Sequence, residues 1–260
     1  MIISSPVNPQ LKFARRVREG KEPASIFVEG ERLCEECLKS NLPLTVAFHT
    51  PDPTPRTTAV IEELWRRQCH VYETVPEAFA VVSDTVNPQG IILIAARPNW
   101  EIETVIPPQA NLLIALDAVQ DPGNAGTILR TAEAAGVQGV IALKGTVDCF
   151  APKTLRSAMG AAFRLPILTD VEPEELLDRC QAAKITVAAT TARTSLVYSD
   201  YDWQQPTLVI LGNEAQGVRA DLLDACDVKM RIPLAAPVES LNVAAAAAAI
   251  LFEAARQRRQ

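Results

Sequence analysis

Imidazole is scarce in this chain: 260 residues contain two histidines, and the aromatic share is 5%. Cys34 and Cys37 have the spacing of a metal or redox pair, but they fall in a helical pattern with no second pair and no histidine nearby. No metal site is therefore expected. The six cysteines are scattered and form no disulfide-dense block, which is the usage of intracellular thiols. Long hydrophobic runs are also missing. No apolar stretch reaches the roughly 18–20 residues of a membrane span, and the segment Met1 to Pro6 lacks the layout of a secretory signal. A soluble, cytoplasmic protein with no membrane partner is expected. Positive charge is in deficit, with a net charge of −6, which argues against nucleic-acid binding driven by a bulk field. A glycine fingerprint for a dinucleotide and the lysine of a Walker loop are both absent, which sets those two nucleotide chemistries aside.

What is present is apolar patterning. At 48% hydrophobic the chain is long enough for two packed domains. Leu11, Ala14 and Val17 mark the stripe of a helix from Asn8 to about Gly20, with cations between them. Strands are expected at 25–30 and 44–49, a helix at 31–40, a loop at 50–58 and a second helix at 59–69. Val81 to Asp84 and Gly90 to Ala96 complete a small α/β domain over 1–96. Residues 97–109 contain three prolines, an exposed-looking Trp100 and little periodicity, and read as a linker. From 110 to 260, continuous apolar runs at 112–116, 140–143, 185–189 and 208–211 alternate with helical segments. That is the pattern of a parallel sheet covered on both faces.

Ligands of open α/β sheets sit beyond the carboxyl ends of the strands, and three such ends are polar and rich in Gly or Pro. After 112–116 come a turn at Asp121-Pro122-Gly123, Asn124 placed to cap a helix, Gly126, and Arg130 nearly two turns in; a site and a surface helix both account for Arg130. After 208–211 come Gly212, Asn213, Glu214 and Gly217, which waste strand stability unless backbone faces a ligand. The third segment places Glu239, Ser240 and Asn242 at the mouth of a helix made almost wholly of alanine, Ala244 to Ala249. Alanine favours helix but offers little area, so this helix must pack closely on other backbone. Ser240 and Asn242 serve as caps, as a site, or as both. Lys153, Arg156 and Ser157 line the early turns of a helix opened by Pro152, as a phosphate site or as a solvated face. The cations from Lys12 to Lys21 and the closing Arg256, Arg258 and Arg259 leave the same two readings open.

In order and spacing, Asn124, Gly126 and Arg130, then Gly212 to Gly217, then Ile232-Pro233 with Glu239 to Asn242, resemble the motifs of the SpoU/TrmH family of RNA ribose 2′-O-methyltransferases, in the SPOUT superfamily. The resemblance covers the whole second domain. Residues 1–96 resemble, more loosely, the N-terminal substrate-binding domain of many members, through Asn8-Pro9, Lys12 and Phe27 to Gly30. The implied fold is a small α/β domain followed by an α/β domain whose C-terminal segment is threaded into a trefoil knot, a topology otherwise excluded by its rarity. The resemblance further implies S-adenosylmethionine as cofactor, held by Thr190, Leu211, Gly212, Asn213, Gly217, Ile232 and Leu241, and a homodimer. It makes Arg130 the catalytic arginine, with Asn124 holding it or the RNA, and Glu214, Ser240 and Asn242 organising the site. Lys12, Arg15, Arg16, Lys153 and Arg156 are the candidates for RNA contact.

The implied substrate is structured RNA, ribosomal ahead of transfer RNA. DNA is not expected, because the 2′-hydroxyl is both target and discriminator. A non-catalytic RNA-binding protein on the same fold is the alternative from another class. A guanidinium loses its proton too reluctantly to be a good base, so electrostatic anchor and base both stand as roles for Arg130.

Overall fold

The computed structural model describes residues 1–259. In chain order the first elements are β1 (Ile2–Ile3), α1 (Pro9–Arg18), β2 (Ser25–Glu29), α2 (Glu31–Lys39), β3 (Leu44–His49), α3 (Pro55–Arg66), β4 (His70–Thr74), α4 (Pro76–Val82) and β5 (Ile91–Ala96). They are followed by α5 (Ile102–Val105), β6 (Leu112–Leu116), α6 (Pro122–Ala135), β7 (Gly139–Leu143), α7 (Pro152–Ala158), β8 (Ile167–Val171) and α8 (Pro173–Ala183). The last are β9 (Thr186–Thr190), β10 (Thr207–Leu211), α9 (Ala220–Ala225), β11 (Val228–Met230) and α10 (Val243–Arg258). The described residues form two compact units, one of residues 1–98 with 150–164 and one of 99–149 with 165–259.

The first unit has a five-stranded sheet in the order β1-β4-β3-β5-β2, with β5 antiparallel to both of its neighbours. Leu11, Ala14 and Val17 of α1 join its core beside Phe27, Phe48 and Phe79. Several local expectations give way here. The loop expected at 50–58 ends early, because Thr54 accepts the Thr57 N–H at 3.1 Å and Pro55 starts α3. Val81 and Val82 close a helix and belong to no strand. Strand β4, whose residues are mostly half-exposed, has no counterpart in the sequence reading.

The helix at 152–158, expected within the second domain, belongs to this first unit. Thr154 and Leu155 are buried, Arg156 pairs with Asp84 at 2.9 Å, and the Arg97 guanidinium lies over the Phe150 ring. Burial also pushes the Cys37 thiol up to about 12 and Cys69 to about 11, which leaves both inert as nucleophiles.

The second unit is a six-stranded, all-parallel sheet in the order β11-β9-β10-β6-β7-β8. Its central strands are buried along their whole length, as a sheet covered on both faces requires. The chain steps outward from β6 to β7 and β8, then returns on the other side to β9 and β10. The strand order therefore reverses between β6 and β10, where a ligand crevice is favoured.

The linker expected at 97–109 is not one from Asn99 onward. Val105 and Ile106 sit in the core, and Trp100 and Ile102 pack against it. Helix α10 packs on α6, and both bury small residues, Ala244, Ala247, Ala254 and Ala255 on one, Ala125, Gly126, Ala132 and Ala135 on the other. The alanine-rich sequence thus gives close contact between helices, as its small side chains demand.

Candidate active site

The polar groups of three chain segments converge within the second unit. Asp121 caps α6, its Oδ1 accepting the Asn124 N–H at 2.8 Å. The sequence reading gave that task to Asn124; because Asp121 performs it, the Asn124 side chain is released for other partners. Asn124 Nδ2 donates to Glu214 Oε1 at 2.9 Å, and Asn242 Nδ2 donates to Asn124 Oδ1 at 2.9 Å. The direction of this chain is forced. A carboxylate only accepts, so Asn124 turns its amino group to Glu214 and its oxygen to Asn242. Asn242 must then donate, which leaves its Oδ1 to cap α10 by accepting the Ala244 and Ala245 N–H groups at 2.9 and 3.3 Å.

Glu214 also accepts the backbone N–H groups of Gln120 and Asp121, at 3.4 and 3.3 Å. Partial burial pushes its carboxyl up, but donors from Asn124 and from the backbone of Glu214, Gln120 and Asp121 outweigh this and hold it below its ordinary value. A depressed carboxyl gives stability that is complete above the unfolded value near 4.5 and is lost as pH falls through the folded one. Wild type is expected to be more stable than Glu214→Gln at neutral pH, with the two converging under acid. Unfolding measured across pH 3–7 checks this, and parallel curves would show that Glu214 carries no linked stability.

The turn holding Glu214 is built tightly. Asn213 and Gly217 exchange backbone hydrogen bonds at 3.0 and 2.9 Å, and Asn213 Oδ1 accepts from the Ala215 and Gln216 N–H groups. A Cβ on Gly212 would fall 2.1 Å from Val218 N and 2.2 Å from Gly217 C, so only glycine fits there. Asn213 Nδ2 reaches back to the Ala118 carbonyl at 2.8 Å.

Beneath the turn, Asp117 is 1% exposed and accepts from Arg219 twice, from its N–H at 2.8 Å and its Nε at 2.6 Å. Arg219 Nη2 also donates to the Lys144 carbonyl at 3.1 Å, so one guanidinium joins the ends of β6, β7 and β10. The Asp117 carboxylate, partly offset by burial, raises the Arg219 guanidinium above its ordinary value.

The loop 232–241 makes a single backbone–backbone hydrogen bond between its own residues among the described ones, Val238 N–H to Ala235 O at 3.1 Å. It exposes Leu234, Val238 and Leu241 at 37%, 53% and 41%. Free backbone donors and acceptors beside bare apolar side chains are what a flat heteroaromatic ligand needs, reading its edge and covering its faces. The residues present therefore fit an adenosine-bearing cofactor.

The model of the SpoU rRNA Methylase family matches residues 111–252, the stretch that contains all three segments. The chain belongs to the SpoU rRNA methylase family. A second model, RNA 2′-O ribose methyltransferase substrate binding, matches residues 27–101, and the protein is an RNA 2′-O-ribose methyltransferase. This SpoU methylase is 34% identical over 256 residues to the 23S rRNA (guanosine(2553)-2′-O)-methyltransferase RlmP of Bacillus subtilis, covering 96% of this chain and 97% of that one. It is similar to the AdoMet-bound rRNA methyltransferase of Sinorhizobium meliloti, with a TM-score of 0.87 and 31% identity over 98% of this chain and 97% of that one. The SpoU methyltransferase AviRb of Streptomyces viridochromogenes, in complex with AdoMet, gives a TM-score of 0.88 at 25% identity over 97% and 99% of the two chains.

In this SpoU methylase, Asn124, Glu214 and Asn242 are brought into one hydrogen-bonded chain. Among the described residues no hydrogen bond joins Asn124 to Arg130, so Asn124 does not hold it. Arg130 is exposed on α6 and its side chain has no hydrogen bond or ion pair among the described residues, and the Ser240 hydroxyl also makes none. Leu211 is buried at the end of β10, and its carbonyl accepts the Asp117 N–H at 2.8 Å. Thr190 ends β9, and Ile232 and Leu241 lie on the open loop. Sequence reasoning passed over Asp117 and Arg219; the available signal was a charged residue terminating five apolar ones.

The basic candidates fare less well. Arg15 and Lys21 pair with Glu19 at 3.7 and 2.7 Å, and Arg16 with Glu22 at 2.8 Å. Arg18 is spent on the carbonyls of Val82 and Ser83 at the end of α4. Lys12 is the only α1 cation without a partner among the described residues. Arg156 is committed to Asp84, while Lys153 is exposed.

Proposed function

We propose that this protein transfers a methyl group from S-adenosylmethionine to a ribose 2′-hydroxyl of ribosomal RNA, of the 23S type on which its relatives act. The observation that carries the proposal is the Glu214–Asn124–Asn242 hydrogen-bond chain, which ties three segments together at the start of α6, the helix that carries Arg130, whose side chain is unpaired among the described residues. The Gly212–Gly217 turn and the 232–241 loop would hold the cofactor. When bound, S-adenosylmethionine supplies a methyl group on a sulfonium and needs no metal.

The chain's own residues do the rest. A ribose hydroxyl is a weak nucleophile at neutral pH, so charge developing on its oxygen must be stabilised as it attacks in line. Arg130 meets that need as a planar cation free to grip the phosphate beside the hydroxyl. Asn124, Glu214 and Asn242 act as positioning groups that fix α6, and hence Arg130, against the cofactor loop. A trefoil knot through 231–242, a homodimer using the face of α10 that leaves Phe252 48% exposed, and a cytoplasmic location belong to the same reading. Among the described residues no helix is long and apolar enough to cross a membrane.

Purified protein incubated with tritiated S-adenosylmethionine and total RNA from a strain lacking the gene is expected to label ribose in one ribosomal RNA. Label confined to transfer RNA would overturn the substrate assignment. Absence of label, with no cofactor binding by calorimetry, would favour a non-catalytic RNA-binding role.

A further inference from the structure

We infer that Gln257, on the last turn of α10, is a positioning residue for methyl transfer: it fixes where α10 stops, and through the helix where Asn242 meets Asn124. The inference rests on the reading of the protein as an RNA 2′-O-methyltransferase that works through the Glu214–Asn124–Asn242 chain. It starts from a weakness of the helix. Of the seven residues that α10 buries, four are alanines, and its partner α6 likewise buries Ala125, Gly126, Ala132 and Ala135. Ridges one methyl deep let two helices lie close but resist little when one slides along the other. The 16 residues of α10 make a rod about 24 Å long, so a slide at one end is passed whole to the other. Hydrogen bonds weaken beyond about 3.2 Å, and the Asn242–Asn124 bond at 2.9 Å has little room to lengthen. Some group must therefore hold α10 along its axis.

The far end of the helix supplies it. Gln257 Oε1 accepts the Trp203 N–H at 3.0 Å, and its Nε2 donates to the Tyr201 carbonyl at 3.2 Å and to Glu253 Oε1 at 2.8 Å. Glu253 settles the direction, since a carboxylate only accepts and the Gln257 amino group must face it. Arg258 adds bonds from Nη2 to the carbonyls of Asn111 and Gln205. The segment that receives these groups is itself stiff. Trp203 is 0% exposed and donates its ring N–H to the Tyr198 carbonyl at 2.8 Å, Tyr201 lies edge-on to that ring at 4.9 Å, and the Tyr201 hydroxyl bonds Thr207 Oγ1 on β10 at 3.0 Å. The same segment also grips the chain ahead of the helix, where Arg231 donates its N–H to the Leu196 carbonyl at 2.9 Å and accepts the Tyr198 N–H at 3.0 Å. Residues 232–256 thus form a span with both ends fixed to 196–203, and Asn242 stands within it. Among the described residues Gln257 bonds none of Asn124, Glu214 and Asn242, so it acts on them through the helix.

Gln257→Leu is expected to lower kcat by roughly tenfold or more, while KM for RNA and the affinity for S-adenosylmethionine stay within about twofold. Asn242→Ser keeps a cap on α10 but is too short to reach Asn124. In that background Gln257→Leu should cost nothing further, because both changes act on one bond. Cys180→Ala, which thins the buried core at α8, is the control for lost stability alone and should keep the kcat of wild type. In the wild-type protein the amide hydrogens of Trp203, Ala244 and Ala245 should exchange through one opening with a common free energy, a measurement that needs no variant to fold. Wild-type kcat in Gln257→Leu, losses that multiply in the double variant, or separate opening free energies would overturn the inference. Wild-type protein that does not methylate RNA would instead overturn the parent reading.

Discussion

Replacing Arg130 with alanine is expected to lower kcat by about 10²–10³-fold, the usual loss when one donor aimed at developing charge is removed. S-adenosylmethionine affinity should stay within about twofold, because among the described residues no hydrogen bond ties the Arg130 side chain to the 232–241 loop or to the Asn124–Glu214–Asn242 chain. Single-turnover methylation with calorimetry on the same preparation separates the two effects. Loss of cofactor binding would show that the arginine belongs to the pocket. Arg130→Lys distinguishes a point charge from a planar fork: full activity would remove any dependence on bidentate contact, and a loss as large as that of alanine would establish it. The variant should fold normally, since the side chain it removes is exposed and unpaired among the described residues.

Asp117→Ala has the largest expected effect on stability. It deletes a carboxylate that is 1% exposed and strands the Arg219 guanidinium and N–H that it receives. Breaking a buried pair from one side costs about 3 kcal/mol or more. Arg219 has access to solvent, its side chain being 33% exposed, which places the expected loss near the lower end. Asp117→Asn keeps an acceptor and should cost roughly half as much. Urea midpoints of the three proteins check the order. Equal midpoints for Ala and wild type would mean that the tie between β6 and the 212–218 turn contributes nothing. Activity should fall with stability in Asp117→Ala, since the Glu214 turn rests on the same strand ends.

The buried parallel strands were legible because they are continuous apolar runs, and Leu112–Leu116 and Leu208–Leu211 lie where the sequence places them. The three segments that converge were legible because glycine and polar residues interrupt the sequence at the carboxyl ends of apolar runs. Pairings between distant residues were not. Nothing near Asp117 announces a partner 102 residues on, and nothing near Arg18 shows that the carbonyls at 82–83 would absorb its charge. The capping error has a related cause. Asp121 and Asn124 are both good caps by type, and only the helix start decides between them. The prolines at 97–109 read as a linker because periodicity fails in so short a helix as Ile102–Val105, although Val105 is buried. The helix at 152–158 was placed in the wrong unit because a compact unit need not be continuous in sequence.

The hydrogen-bond chain through Asn124 spans 90 residues to Glu214 and 118 to Asn242. Synthesis delivers these groups to the folding molecule one at a time and in order. A nascent chain that has emerged only as far as β10 already has Asn124 and the strand ends, but no carboxylate for that amide to face. With Glu214 present and Asn242 still inside the ribosome, the Asn124 oxygen lacks its donor and α10 lacks its cap. The last polar residue before the final helix is thus the one that completes the hydrogen-bond chain, and it does so in the same step that caps α10.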